Sequence, residues 1–364
     1  MKRIGIDARL LYQTGVGTYL RNLLYYLNLS KTLDMVFYIY VLKGEGGKLC
    51  LDKSRFFIRE VDSRWHSLSE QLSFPAVLNR DALDLMHFTY FSYPIGYRKK
   101  FIATVHDTTP LLFTTGLSST RGPLYYGIKH AVFQFVLSQQ LTYAVRLIAP
   151  TATVKKELLA FFPALAFGKI KVIYEGVNYE LKTVREKALL QVGLPESFFL
   201  YVGNFYPHKN VEALVKAFAQ VTGPVSLLLV GPEDFFSKRL TITITNLGLE
   251  KRVRFFHQVS PAELVYLYRH ARALVHPSLS EGFGLPLIEA GYYRLPIIAS
   301  NIPVFQELLG SEYLRFDPGS IESIASSLKQ FLALPKPPVF SPSLKFSFEK
   351  MVNETLQIYK NTVV

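Results

Sequence analysis

Short apolar runs alternate with amphipathic stretches through the first half of the chain. Runs rich in β-branched and aromatic residues are typical of buried strands, and apolar positions three or four apart are typical of helices. The predicted strands are 4–6, 36–42, 57–61, 85–88, 101–105, 146–149 and 171–174, and the predicted helices are 18–27 and about 123–144. Because this alternation is typical of βαβ units, residues 1–178 are predicted to form a Rossmann-like domain with a parallel sheet.

The same alternation returns in the second half. The predicted strands are 198–203, 225–230, 253–256, 273–276 and 296–299, and the predicted helices are 211–220, 261–272 and 286–293. Residues 195–344 are therefore predicted to form a second Rossmann-like domain, joined to the first by a charged linker at 179–194. A proline cluster at 335–342 precedes an amphipathic helix at 346–359, and the segment 345–364 is predicted to pack back on the first domain.

Composition agrees with two globular domains. The chain has 364 residues, of which 49% are hydrophobic, and this is ample for two buried cores. Cys50 is the single cysteine, so a reducing compartment is favoured. The first residues lack the apolar stretch of a secretory signal, and no run of about 18 uncharged apolar residues occurs. We therefore expect a cytoplasmic protein.

The net charge of +13 favours anionic partners such as nucleotides, phospholipid head groups or nucleic acid. Aromatic residues lie among basic ones at 98–101 and 129–133, which predicts peripheral contact with an anionic membrane. The alternative is that these rings fill the core. Nucleic acid is not a predicted partner, because no zinc pattern, RNA-binding motif or basic helix accompanies the charge.

Gly15 and Gly17 lie between the first predicted strand and the first predicted helix. Two glycines there let the backbone approach a phosphate at a helix N-terminus. The segment 8–14 separates them from the strand, and Leu20 stands where a third glycine would be, which argues against an NAD fingerprint. The alternative is a turn whose glycines only let the helix dock.

His106 and Asp107 directly follow the predicted strand 101–105. Ligands of open α/β sheets bind at the carboxyl ends of the strands. A histidine beside an aspartate can donate to sugar hydroxyls or orient a neighbour, so both residues are candidate ligand contacts. The alternative is a capping histidine that binds no ligand.

Asn204 follows the predicted strand 198–203, and Lys209 lies at the next predicted helix start. Both are candidate donor-binding residues. A helix dipole and an ammonium group would both face an anion there, and a diphosphate would suit this arrangement. The alternative is ordinary solvation of a single lysine at a helix start.

Glu281 and Glu289 bracket the strongest motif, a glycine-rich turn that precedes Pro286. The candidate binding residues of the turn are Gly282, Phe283, Gly284 and Leu285. Proline suits the first turn of a helix, so the turn amides can point at a phosphate while Glu289 accepts from a ribose diol. Glu281, outside the helix, could instead contact a transferred sugar. An acidic first turn that only complements the helix dipole explains Glu289 but not the two glycines.

Together these segments resemble the family 4 retaining glycosyltransferases of GT-B fold, whose most specific motif is the glutamate pair Glu281 and Glu289. The resemblance is carried in order by GVGTY from Gly15, TVHDTTP from Thr104, APTATVKKEL from Ala149, VIYEGVN from Val172, YVGNFYPHKN from Tyr201, HPSLSEGFGLPLIEA from His276 and IIASNIP from Ile297. It covers nearly the whole chain. Within that family the chain is most similar to bacterial mannosyltransferases that build surface polysaccharide.

The resemblance implies an α/β protein of two Rossmann-like domains that face each other across a cleft. It implies transfer of a hexose from a nucleotide-sugar donor to a glycan or lipid-linked acceptor. Gly17 would line the donor phosphates, His106 would touch the donor sugar, and Lys209 would neutralise the diphosphate. Glu289 would hold the ribose, and Glu281, with amides of the glycine-rich turn, would contact the transferred sugar. His106 and Glu281 are the candidate catalytic residues.

The chain lacks the Asp-x-Asp motif that metal-using glycosyltransferases usually show. We expect neither metal nor cofactor, because helix N-termini, loop amides and Lys209 can offset the charge of the leaving diphosphate. The resemblance implies retention by front-face displacement, without a protein nucleophile. The alternatives on the same architecture are an epimerase, a phosphorylase or a non-catalytic subunit.

One residue and one segment depart from the family pattern. The phosphate loop commonly reads Pro-Arg-Lys-Asn in these enzymes, and here His208 replaces the arginine, so a permanent cation gives way to a side chain that is mostly neutral at pH 7. Residues 291–296 are bulky where the family has small ones. Either Arg294 faces the donor or the bulky side chains only repack the helix end.

Overall fold

The computed structural model describes residues 1–30, 34–113, 123–188 and 193–363. It divides into two compact units, one of Met1–Glu175 with Ser347–Val364 and the other of Gly176–Phe346. Each unit is built on a parallel sheet, as the alternation of apolar runs and helices predicts. Within the described ranges, no helix combines the length and apolar composition needed to cross a membrane.

The first unit contains a seven-stranded sheet. Its strands are β1 Lys2–Asp7, β2 Met35–Leu42, β3 Phe56–Val61, β4 Leu85–Phe88, β5 Phe101–Thr104, β6 Arg146–Ala149 and β7 Ile170–Val172. Its helices before β7 are α1 Val16–Leu29, α2 Leu68–Leu72, α3 Phe74–Arg80, α4 Thr109–Leu112, α5 Pro123–Tyr143 and α6 Ala152–Phe161. The strand order is β3-β2-β1-β4-β5-β6-β7, so the direction of winding reverses between β1 and β4. Every residue of β4 and β5 is buried, as expected for central strands covered on both faces.

The second unit contains a six-stranded sheet. Its strands are β8 Phe198–Val202, β9 Ser226–Val230, β10 Val253–Phe256, β11 Ala273–His276, β12 Ile297–Ser300 and β13 Leu314–Phe316. Its helices are α7 Tyr179–Thr183, α8 Val211–Phe218, α9 Phe235–Asn246, α10 Pro261–His270, α11 Leu285–Tyr292, α12 Pro303–Leu309 and α13 Ile321–Ala333. The order β10-β9-β8-β11-β12-β13 places the reversal of winding between β8 and β11. Both sheets are therefore doubly wound Rossmann-like sheets.

The last helix, α14 Phe348–Val363, belongs to the first unit, where it packs on α1 and β4. The hydroxyl of Tyr359 lies 2.7 Å from Nδ1 of the buried His87, whose Nε2 lies 2.7 Å from Thr104 Oγ1. Burial, together with the nearby His106, lowers the pKa of His87 to about 3, so the ring is neutral. The C-terminal helix is thus hydrogen-bonded into the core of the first unit.

The segment 179–194, predicted as a linker, differs from that expectation where the structure describes it. It begins with α7, whose N-cap Asn178 accepts a hydrogen bond from Glu180 N at 3.3 Å. Further on, Lys187 N donates to the carbonyl oxygen of Ala262 at 3.0 Å. The segment therefore lies against α10, where the Lys187 amide finds an acceptor that charge patterning alone does not reveal.

Core packing explains one of the aromatic residues that suggested a membrane surface. Phe101 is 2% exposed, and its ring stacks on Tyr93 with centroids 5.0 Å apart. It begins β5, and its side chain enters the core although three basic residues precede it. The alternative interpretation is thus correct for Phe101.

Candidate functional site

The carboxyl edge of the second sheet brings Lys209 and Glu281 together. Lys209 ends a 3-10 turn after β8, and Glu281 lies in the loop between β11 and α11. β8 and β11 are neighbours at the reversal of winding, which is where ligands bind in open α/β sheets. A backbone hydrogen bond of 2.8 Å from Leu279 N to His208 O joins the two loops.

One carboxylate oxygen of Glu281 accepts three hydrogen bonds. Its Oε1 lies 2.6 Å from Lys209 Nζ, 2.8 Å from Ser278 Oγ and 3.0 Å from His276 Nε2. Burial alone would raise the pKa of Glu281, but Lys209 and His276 stabilise the charged form and hold the pKa well below its usual range. Glu281 is therefore an anion at neutral pH.

His208 precedes Lys209 and does not add a charge to this loop. Burial, together with the Lys209 ammonium, lowers the pKa of the His208 imidazole to about 4. The ring is neutral at pH 7, as expected from the sequence. Lys209 is thus the residue of the loop that can meet an anion with a full positive charge.

The glycine-rich turn forms the N-terminus of α11 on the same sheet edge. Gly284 is the N-cap with φ of 95°, in the left-handed region that favours glycine, and Gly282 lies two residues before it. Leu285 and Pro286 are the first two helical residues. Pro286 has no N–H, and Leu287 N donates to Gly284 O at 3.0 Å. The N-terminus of α11 therefore offers an anion the amide of Leu285 and the positive end of the helix dipole.

Phe283 and Asn204 are predicted donor contacts whose surroundings differ. The Phe283 ring is 5% exposed and packs against Phe346 at a centroid distance of 6.1 Å, so its backbone rather than its ring is suited to a ligand. The carbonyl of Asn204 accepts from Tyr201 OH at 2.5 Å. Its amide oxygen Oδ1 is buried and has no hydrogen-bond partner among the described residues.

Glu289 is the buried acid of α11. It is 6% exposed, and its Oε2 accepts a hydrogen bond of 2.8 Å from Tyr268 OH on α10. Burial raises the pKa of Glu289 to about 7, with a further contribution from Glu180 and an opposing one from the Tyr268 hydrogen bond. Near neutral pH the group therefore interconverts between a carboxylic acid and a carboxylate.

The bulky residues after Glu289 repack the helix end. The Tyr293 ring stacks on Tyr268 with centroids 5.8 Å apart, and its hydroxyl donates to Leu181 O at 2.6 Å. Arg294 adopts φ of 56° just beyond α11, and its amide donates to Gly291 O at 3.0 Å. These contacts give the departure from the family pattern a packing explanation.

In the first unit, the two predicted glycines have different surroundings. Gly15 is exposed, has φ of 66° and is the N-cap of α1. A Cβ on Gly17 would lie 2.6 Å from Leu11 O, so close packing against the loop 8–14 requires glycine there. The docking interpretation thus explains Gly17, while Gly15 marks a helix N-terminus open to solvent.

His106 lies at the carboxyl end of β5 between two acceptors. Its Nε2 is 2.9 Å from Thr89 O, and its Nδ1 is 3.3 Å from Glu175 Oε1. Nε2 donates to the Thr89 carbonyl, and Nδ1 faces the Glu175 carboxyl group. The Tyr19 ring meets His106 edge-on at 4.7 Å. Contact of His106 with a donor sugar stays a prediction, and it requires one of these partners to be exchanged.

Asp107 begins the next turn of chain. Its Oδ1 accepts a hydrogen bond of 2.8 Å from Thr109 N, at the start of α4. Thr108 donates to the Glu157 carboxylate on α6. Burial, and to a smaller extent the charge of Asp107, raises the pKa of Glu157. Contact of Asp107 with a sugar stays a prediction beside this hydrogen bond to the first residue of α4.

The loop after β1 holds a fully buried charge. The Arg9 guanidinium lies 2.6 Å from Asp7 Oδ2 and 2.7 Å from Glu70 Oε1, and it donates to Ser63 O at 2.9 Å. Its carbon Cζ sits 4.1 Å from the centroid of the Phe74 ring. The donors of Arg9 are therefore directed to groups within the first unit.

Sequence reasoning did not single out His276, Ser278, Tyr268 or Glu175. His276 and Ser278 stand inside the quoted motif before Glu281, and Glu175 stands inside VIYEGVN. The end of an apolar strand at His276 is a usable signal, because ligand-binding side chains follow such ends. Tyr268 lies on α10 and Glu289 on α11, and no spacing rule predicts a contact between residues of different helices.

Family models match both halves of the chain. Residues 14–181 match the model described as Glycosyltransferase Family 4, and residues 185–339 match the one described as Glycosyl transferases group 1. The chain belongs to the GT-B glycosyltransferases of family 4. The two matched segments follow the two doubly wound sheets in order.

Two curated relatives of this glycosyltransferase act in O-antigen synthesis. The O-antigen chain mannosyltransferase RfbU of Salmonella typhimurium is 34% identical over 242 residues, which is 65% of this chain and 66% of that protein. The O-antigen chain mannosyltransferase B of Escherichia coli is 28% identical over 175 residues, which is 45% of this chain and 46% of that protein. The chain thus spans less than two thirds of either relative.

Solved structures of low identity share the fold of this glycosyltransferase. Sucrose-phosphate synthase of Thermosynechococcus elongatus has a TM-score of 0.78 at 20% identity and covers 99% of both chains. Anabaena HepE in complex with UDP and glucose has a TM-score of 0.75 at 18% identity, covering 99% of this chain and 100% of its own. These similarities establish the GT-B architecture.

Proposed function

We propose that this chain transfers a hexose from a nucleoside diphosphate sugar to a glycan or lipid-linked acceptor, with retention and without a metal ion. The observation that carries the proposal is the convergence of Lys209, Glu281 and the N-terminus of α11 at the reversal of winding in the second sheet. An ammonium and a helix N-terminus together suit a diphosphate. A carboxylate beside them suits the hydroxyls of the sugar.

Mannose is our first choice of sugar. Its support is the similarity to two O-antigen mannosyltransferases over about two thirds and about half of the chain. HepE, which shares the fold, has been crystallised with UDP-glucose, so a nucleoside diphosphate hexose is in keeping with this architecture. Hydroxyl orientation is selected by the positions of individual hydrogen-bonding groups, and a panel of donors is therefore the direct test.

The proposed chemistry uses charge on the protein. As the bond from sugar to diphosphate breaks, negative charge grows on the leaving oxygen, and Lys209 with the N-terminus of α11 stabilises it. In the retaining, front-face course, the leaving phosphate accepts the acceptor's proton. Glu281 binds the transferred sugar, and Glu289 accepts hydrogen bonds from the ribose. No cofactor takes part in this scheme.

The decisive experiment offers GDP-mannose, GDP-glucose, UDP-glucose and UDP-galactose with a lipid-linked or glycan acceptor, and measures release of nucleoside diphosphate. We expect one donor to be turned over, to raise the unfolding temperature, and to react equally well in EDTA. If no donor is turned over or protects the protein, the transferase proposal fails and a non-catalytic subunit is favoured. Interconversion of sugars without transfer would favour an epimerase. Loss of turnover in EDTA would overturn metal independence.

We further propose that α5 lies on an anionic membrane when the acceptor is lipid-linked. Ile128, Val132 and Phe135 are 62%, 57% and 56% exposed at helical spacing, and the exposed Lys129 lies beside them. Apolar side chains flanked by a cation suit an interface with anionic head groups. Sedimentation with vesicles should require anionic lipid and weaken in Val132→Ser. Equal binding to neutral vesicles, or none to either, would contradict this.

A further inference from the structure

His276 is held in a fixed position next to the Glu281 carboxylate. It is the last residue of β11 and is 1% exposed. Its ring stacks on Tyr201 with centroids 5.8 Å apart, and it meets the Phe305 ring at 5.6 Å. Close-packed aromatic neighbours on two sides leave the imidazole little freedom to turn. Its Nε2 is thereby aimed at Glu281 Oε1, 3.0 Å away.

The second ring nitrogen supports this assignment. His276 Nδ1 is buried and has no hydrogen-bond partner among the residues that the structure describes. A proton on Nδ1 would therefore bury an N–H without an acceptor, which is costly. The proton belongs on Nε2, where it is donated to Glu281. The Nε2–H of His276 therefore serves the Glu281 carboxylate.

Lys209 has two potential partners, whereas His276 and Ser278 are committed to one. The ammonium of Lys209 now binds Glu281 at 2.6 Å, and it is also the cation suited to a donor diphosphate. A bound diphosphate would draw part of the ammonium's hydrogen bonding away from Glu281. A buried carboxylate that loses a donor must be held by other donors or take up a proton. His276 and Ser278 are already in place at 3.0 and 2.8 Å.

We propose that His276 is the positioning residue of Glu281, and that with Ser278 it keeps the carboxylate oriented and ionised while Lys209 binds the donor diphosphate. The inference rests on the proposed function and assigns a role to a residue outside the glutamate pair. His276 itself does not touch the donor in this scheme. It acts through Glu281, which contacts the sugar.

The groups that face Glu281 fix the expected pH dependence. Lys209 and His208 approach from the loop after β8, Tyr201 from β8, and His276 from β11. Burial would raise the pKa of Glu281, and Lys209 and His276 lower it. Removing the His276 N–H therefore moves the pKa of Glu281 upward. Because the active form is the carboxylate, the acid limb of the pH profile should move to higher pH.

The test compares His276→Leu, His276→Gln and Ser278→Ala with the natural chain, using donor-dependent release of nucleoside diphosphate. Losing a hydrogen bond to a charged group lowers kcat by roughly 10- to 100-fold in His276→Leu, with a donor KM within about threefold of the natural value. The acid limb of kcat moves upward. A glutamine amide can donate in place of Nε2–H, so His276→Gln should recover most of the rate. Ser278→Ala should change the profile in the same direction by less.

His270→Leu is the matched control, because His270 lies at the exposed end of α10 with its ring stacked on Tyr266. It should leave rate and profile unchanged. The inference is overturned if His276→Leu behaves like this control, if its rate falls without movement of the acid limb, or if glutamine restores nothing. The last two results would indicate a structural role only.

A second readout separates this inference from the proposed function. If the natural chain turns over no donor, the proposed function fails, and the hydrogen bonding of Glu281 is tested by thermal unfolding between about pH 5 and pH 3. A carboxyl group whose folded pKa is depressed contributes stability above its unfolded pKa, and this stability is lost as pH falls. His276→Leu should show a smaller acid loss of unfolding temperature than the natural chain and His270→Leu. Equal losses would overturn the inference.

Discussion

The loops that follow the first strand of each sheet occupy equivalent places but use their cations differently. After β1, the Arg9 side chain is 0% exposed and bridges Asp7 and Glu70. After β8, the Lys209 side chain is 17% exposed and pairs with Glu281. Both loops lie beside the reversal of winding in their sheets. The shared topology thus places a cation at the same point of each sheet. Its burial and the number of carboxylates around it determine whether it stabilises the fold or can bind a ligand.

The difference separates stability from binding. Arg9 is enclosed by two carboxylates and a carbonyl, so its removal leaves buried charges without a partner. Lys209 is partly exposed, and among the described residues its one carboxylate partner is Glu281, which leaves ammonium donors for an anionic ligand. We therefore expect substitutions at the two residues to fail in different measurements.

The largest expected effect is on folding, in Arg9→Met. Leaving Asp7 and Glu70 buried and unpaired should lower the free energy of unfolding by about 3–5 kcal/mol. Urea unfolding measures this directly. The matched control is Arg146→Met, because Arg146 is exposed at the start of β6, and a surface substitution of this kind should change stability by about 0.5 kcal/mol or less. Equal costs at the two positions would remove the distinction between the loops.

The next effect is on turnover, in Lys209→Ala. Removing a cation that stabilises the leaving diphosphate should lower kcat/KM for the donor by roughly 10²- to 10³-fold. The unfolding free energy should fall by less than in Arg9→Met, because Ser278 and His276 still bind Glu281. Release of nucleoside diphosphate and urea unfolding are measured on the same preparations.

Lys216→Ala is the control for that variant, since Lys216 lies on α8, the helix that follows the Lys209 turn, and is exposed and paired with Glu212 at 2.7 Å. Its turnover should equal that of the natural chain. Lys209 would be a structural cation like Arg9 if Lys209→Ala turned over the donor as fast as the natural chain. The same conclusion would follow if Lys209→Ala lost as much unfolding free energy as Arg9→Met.

Periodicity predicts the two sheets well because buried parallel strands are continuous apolar runs. The helix α9 escaped prediction, since its sequence FFSKRLTITITN is rich in β-branched residues with little amphipathic pattern. Its start is set by Asp234, which accepts hydrogen bonds from Phe236 N and Ser237 N. The hydrogen bonds of the N-cap thus fix the start of α9, which hydrophobic periodicity did not predict.

The candidate site divides in the same way. Lys209 and Glu281 belong to recognisable loop motifs, and the structure brings them within 2.6 Å of each other. The environment of Glu289 depends on Tyr268, 21 residues earlier on another helix. Local patterns carry no information about such tertiary contacts. The pKa of a buried carboxyl group is therefore readable only from the fold.

The smallest expected effect sharpens the comparison within the second unit, because Glu281 and Glu289 are buried acids with opposite pKa shifts. Burial raises the pKa of Glu289 to about 7, so its ionised fraction rises from about one tenth at pH 6 to about nine tenths at pH 8. If the carboxylate accepts from the ribose, affinity for a nucleoside diphosphate should rise about tenfold across that range. Calorimetric titration measures it.

Glu289→Gln should lose this rise and bind with a nearly constant affinity, whereas the exposed Glu250→Gln should keep the natural profile. For the natural chain, the contribution of Glu289 to the unfolding free energy should fall over the pH range in which its affinity for the ligand rises. A carboxyl group with a raised folded pKa favours folding below its unfolded pKa and loses that contribution as pH rises through 7. The glutamine variant should therefore gain unfolding free energy relative to the natural chain between pH 6 and pH 8. If the affinity of the natural chain were as independent of pH as that of Glu289→Gln, Glu289 would contribute to packing through Tyr268 and would not recognise the ribose.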